Sequence, residues 1–100
     1  MQPKTLADVK RRTTVGTRLR CVENTIRPIL NGTHRRIVQV QTNGFWWIDA
    51  DAPGQRSWTD YPKAALCTWL DDTTFQLGLD AKRPEHYVRL AFVSQASQED

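Results

Sequence analysis

No run in this chain approaches the roughly 20 consecutive apolar residues that cross a bilayer. The opening MQPKTLADVKRR has no apolar stretch of the kind a secretory leader carries. The expectation is a cytoplasmic protein with no membrane partner. Cysteine is scarce, with only Cys21 and Cys67. In a reducing compartment two such distant thiols are expected to be buried and free rather than paired, and the sequon Asn31-Gly32-Thr33 is then no glycosylation site.

Chemistry-bearing motifs are also missing. Cys21, His34, Cys67 and His86 stand alone, with no C-x-x-C or H-x-x-x-H spacing, so no metal site is expected. There is no glycine-rich phosphate loop, nucleophile elbow or zincin motif. The acid pairs Asp49/Asp51 and Asp71/Asp72 sit where turns want short polar side chains, and Glu85-His86 has no sequence partner. The expectation is a non-enzyme without a cofactor.

What the chain does have is arginine and aromatic rings. Ten of its fourteen cations are arginine, whose planar fork suits phosphate and stacking. Up to Ile48, nine Lys or Arg face only Asp8 and Glu23; from Asp49 onward five face nine acids. That asymmetry suggests an anionic partner on one side of the molecule. Residues 43–62, NGFWWIDADAPGQRSWTDYP, hold three of the four tryptophans with a phenylalanine and a tyrosine. In a chain of 100 residues most such rings must be core.

One domain fits this length. Thr5-Leu6-Ala7-Asp8 reads as a capping box with Asp in place of Glu, opening a short helix over 5–12 whose exposed face carries Lys10, Arg11 and Arg12. A β-barrel is expected over 15–93 and a flexible polar tail over 94–100. In VGTRLRCV, Leu19 and Cys21 alternate with Arg18 and Arg20, so the two arginines share one face of a strand. ENTIRPILNGT reads as a loop.

RRIVQVQT-NG-FWWI predicts a hairpin turning on Asn43-Gly44, a pair suited to the positive φ angles of a type I′ turn. That register opposes Thr42 with Phe45, Gln41 with Trp46, Val40 with Trp47 and Gln39 with Ile48. It puts Val38, Val40, Phe45 and Trp47 on the core face, and Ile37, Gln39, Gln41, Trp46 and Ile48 on the other. A further strand from Arg56 to Tyr61 places Trp58 opposite in direction to Thr59 and Tyr61. Residues 62–70 fit either a helical turn or a strand. Phe75, Leu77 and Leu79, then Val88, Leu90 and Phe92, mark two last strands.

The fold class is mainly β: a small five- or six-stranded antiparallel barrel or curved sheet preceded by a short N-terminal helix. The order TLADVKRR, VGTRLRCV, HRRIVQVQTN and SWTDYPKA resembles short, largely uncharacterised proteins carried by bacterial phages and mobile elements. Its strand spacing resembles Tudor-like or Src-homology-type small barrels. The resemblance covers about residues 5–77, implies a small barrel behind a helix, and transfers no site residues.

Two functional readings follow. In the first, Lys10, Arg11, Arg12, Arg18, Arg20, and Arg35 or Arg36 contact the phosphates of DNA or RNA while Trp46 stacks a base. Only one of Arg35 and Arg36 can join a given strand face. In the second, the stripe Ile37, Gln39, Gln41, Trp46, Ile48 binds a host protein, or a second copy in a homodimer.

Overall fold

A computed structural model of the chain describes residues 4–51 and 54–93. The tail expected over 94–100 lies outside the described residues. A seven-residue helix, α1 (Leu6–Arg12), leads into seven strands: β1 (Arg18–Asn24), β2 (His34–Gln41), β3 (Gly44–Asp49), β4 (Ser57–Asp60), β5 (Cys67–Trp69), β6 (Thr74–Gly78) and β7 (Tyr87–Phe92). They form one antiparallel sheet in the order β4-β3-β2-β1-β7-β6-β5. The mainly β fold behind a short helix is as the sequence predicts. The strand count exceeds five or six because residues 62–70 form a single 3₁₀ turn, Ala64–Leu66, followed by the short strand β5.

The sheet is not closed into a barrel, since β4 and β5 are its two edges. It must nevertheless curl. Flat, its edges would lie about 29 Å apart at six strand spacings. The six residues linking β4 to β5 reach at most about 25 Å when fully extended, and they include the 3₁₀ turn.

The inner face of the curl is the core. Leu6 and Val9 of α1 pack there against Leu19, Cys21, Ile37, Phe45, Trp47, Phe75, Leu77, Val88 and Leu90. The helix starts as the sequence predicts: the Asp8 carboxylate accepts the Thr5 backbone N–H at 2.7 Å. It is tied to the far edge of the sheet by the Trp69 indole N–H, which donates to the Thr5 carbonyl at 2.9 Å. At the other end of α1 the Thr13 hydroxyl meets that of Tyr61 at 2.5 Å.

The hairpin forms, with a different turn and register. Gln41 pairs with Gly44, Val40 with Phe45 and Gln39 with Trp46, so Thr42 and Asn43 make the corner. Neither has positive φ, and nor does Gly44. Gly44 is needed as a strand residue: a Cβ there would collide with the Thr59 carbonyl oxygen and lie 2.8 Å from the Trp58 ring. The left-handed Asn-Gly is the earlier one, where Gly32 has φ 82°.

Relative to the expected register this turn shifts the pairing by two, which leaves faces unchanged. A bulge at Val38 then shifts it by one more, so that Ile37 opposes Trp47 and Arg36 opposes Ile48. The bulge corrects two predictions. Ile37 rather than Val38 enters the core, and Arg35, placed among the candidate ligand contacts, turns inward.

Candidate nucleic-acid interface

Arg35 is only 3% exposed. Its guanidinium carbon lies 4.9 Å from the centroid of Trp47, and Nη1 is 4.0 Å from an Asp49 carboxylate oxygen. Burial pulls this arginine below its usual pKa, with Asp49 opposing the shift. It is a core residue and cannot serve as a phosphate contact.

The outer face collects the other strand arginines. Arg18 is paired directly opposite Arg36, and Arg20 directly opposite His34. All four side chains are exposed. Among the described residues none of Arg18, Arg20 and Arg36 has an ion pair or a side-chain hydrogen bond. On the other flank of β1, Ala91 faces Arg20 and leaves it uncovered. Arg89, further along, differs: it lies 3.8 Å from Glu23 and donates to the Gln76 side chain at 2.8 Å.

Trp46 belongs to the same outer face, two residues from Ile48 on β3. Across the β3–β4 pair it meets Trp58, ring centroids 5.2 Å apart and tilted by 59°. The Arg56 guanidinium lies 5.2 Å from its ring. Trp46 and Trp58 are both half-buried. The face therefore presents an aromatic pair on β4–β3 and a cationic group on β2–β1. Sequence reasoning missed Trp58, His34 and Arg56 as members. Strand alternation fixes only relative facing, and which strands are neighbours is a property of the pairing order.

The alternative stripe does not survive as an apolar surface. Ile37 is 1% exposed and Ile48 8%, leaving Gln39, Gln41 and half of Trp46. The bulge at Val38 accounts for Ile37.

The helix cations do not converge on Trp46. Lys10 lies 5.4 Å from the centroid of Tyr61 on the inner side. Arg11 is ion-paired with Asp8. Arg12 stacks on Phe92 at 4.1 Å and donates to the Asp72 carbonyl at 3.1 Å. Arg11 and Arg12 do meet Arg18, in an open cleft of about 600 Å³ at the C-terminal end of α1.

Burial pushes both Cys21 and Cys67 thiols above their usual pKa, away from the reactive thiolate. They sit on strands separated by β7 and β6, and both are free. Among the described residues no group of three or more His, Cys, Asp or Glu is arranged to hold a metal ion. Among the described residues no helix is long and apolar enough to cross a membrane. Compared with protein-family models, with curated proteins and with solved structures, the chain matches none significantly.

Proposed function

We propose that this chain is a nucleic-acid-binding protein of the cytoplasm that holds a single strand of DNA or RNA across the outer face of its sheet. The observation that carries the reading is the placement of Arg18 against Arg36 on adjacent strands, with Arg20 beside them and, among the described residues, no acid paired with any of the three. Like charges directly opposite one another destabilise a sheet. Strand phosphates would relieve that repulsion and release their counterions in doing so. The Trp46–Trp58 pair on the same face offers rings to unstacked bases, and Arg56, now over Trp46, offers a second planar group.

The test is fluorescence anisotropy of labelled single-stranded DNA, single-stranded RNA and duplex DNA at several salt concentrations. Single strands are expected to bind best, with log affinity falling linearly in log salt by about 0.7 per phosphate contacted. The triple variant Arg18→Glu/Arg20→Glu/Arg36→Glu is expected to lose a slope of about 2 along with most of the affinity. Absence of binding at low salt sinks the reading.

A second reading, capture of a partner protein, is favoured by one feature. The aromatic pair borders β4, an unpaired edge strand to which an extended peptide can add. Such binding would be insensitive to salt.

A further inference from the structure

The cleft at the C-terminal end of α1 draws on five separate parts of the chain. Arg11 and Arg12 come from the helix, Thr14 and Thr17 from the turn after it, Arg18 from the start of β1, and Thr73 from the turn before β6. Phe92 and Val93 complete the wall, and no carboxylate is among its described lining residues. At about 600 Å³ it exceeds what one phosphate needs and matches the size of small-ligand sites.

Basic residues in the last turn of a helix need no ligand to explain them, since they complement the helix dipole. That accounts for Lys10, Arg11 and Arg12. It does not account for Arg18, which comes from another element and whose guanidinium has no ion pair or hydrogen bond among the described residues. Nor does it account for the hydroxyls. Thr14 and Thr17 meet at 3.0 Å, and the Thr14 backbone N–H donates to Thr17 Oγ1 at 3.1 Å. Thr17 Oγ1 also donates to the Arg12 carbonyl at 3.2 Å, so these bonds hold both threonines in the wall of the cleft. Arg12 is already held over Phe92 with one fork nitrogen on a carbonyl, so its remaining donors are fixed in place.

Resting on the reading of the outer face as a nucleic-acid surface, we infer that this cleft seats one phosphate of the bound strand with its attached nucleotide. Arg18 joins the cleft to the outer face. The strand then crosses the β-strands at a steep angle, from the Trp46–Trp58 pair on β3 and β4, past Arg36 on β2 and Arg18 on β1, into the cleft. From β4 to β1 is three strand spacings, about 14 Å. With the cleft added, the footprint is on the order of four nucleotides, at the short end for small barrels that bind single strands.

The experiment uses the full chain labelled with 15N, titrated with inorganic phosphate and with an eight-nucleotide oligothymidylate. Phosphate is expected to shift the amides of Arg11, Thr14, Thr17 and Arg18 saturably. The oligonucleotide is expected to shift these and the Trp46 indole together. Arg11→Gln, at an exposed position, is expected to keep the native spectrum, weaken oligonucleotide binding about fivefold and lower the salt slope by about 0.7. Phosphate shifts spread evenly over all surface arginines overturn the inference. So does an oligonucleotide that moves Trp46 and leaves the cleft silent, an outcome under which the outer-face reading stands. An oligonucleotide that does not bind at all removes both.

Discussion

Arg35 and Arg36 are adjacent in sequence and opposite in environment, because a strand turns successive side chains to opposite faces. Arg35 lies over Trp47 in the core beside Asp49, whereas Arg36 is exposed against Arg18. Truncating them should separate stability from binding. Arg35→Ala is expected to lower unfolding free energy by at least about 2 kcal/mol, since it opens a cavity over Trp47 in the core. Arg36→Ala is expected to stay within about 0.5 kcal/mol of the parent and to weaken oligonucleotide binding. Urea midpoints beside anisotropy titrations check both, and equal midpoints for the two variants would contradict this division. Gly44 gives a second residue-scale expectation. A methyl group there meets the backbone of Thr59, which cannot step aside without breaking the β3–β4 pairing. Gly44→Ala is expected to cost about 2–3 kcal/mol, a fall in Tm of roughly 8–24 °C for a domain of this size.

At the scale of elements, the helix cap and the turn before β6 depend on carboxylates. Backbone N–H groups of Thr5, and of Thr73 and Thr74, hold the Asp8 and Asp71 carboxyls below their ordinary pKa. Near pH 4 the folded chain therefore binds fewer protons than the unfolded one. The stabilisation is fully present above about pH 4 and is lost as pH falls through the lowered folded values. Thermal melts should show a lower Tm at pH 3 than at pH 6, and a smaller difference in Asp8→Asn/Asp71→Asn. An undiminished difference would assign the acid sensitivity elsewhere. The Thr5–Asp8 cap was legible in the sequence because it is local, and so was the alternation of Leu19 and Cys21 with Arg18 and Arg20. The existence of the β2–β3 hairpin was also legible, but its register was not. Asn43-Gly44 carries the composition of a tight turn, yet Gly44 answers to the approach of β4, a contact made with residues fourteen to sixteen positions later. The bulge at Val38 has no composition signal at all, and it alone decided which of Arg35 and Arg36 faces solvent.

For the whole molecule, the sequence showed that the fold is β-rich and that cations crowd its first half. It could not show the order in which strands lie side by side. That order places β1 at the middle of the seven, between β2 and β7. A chain ending at residue 86 keeps six of the seven strands yet loses the pairing of Cys21 with Leu90 and of Phe75 with Leu90. Such a truncation is expected to abolish cooperative thermal unfolding by circular dichroism, and a truncated chain that still melts sharply would show that β7 is dispensable.

The same topology sets a clock on synthesis. The strand at the centre of the sheet is among the first to be translated, and the neighbour that covers one of its edges is the last. At ribosomal speeds β1 waits roughly 3–14 seconds for β7. During that interval Leu19 and Cys21 lie beside an open edge that any other extended segment can occupy.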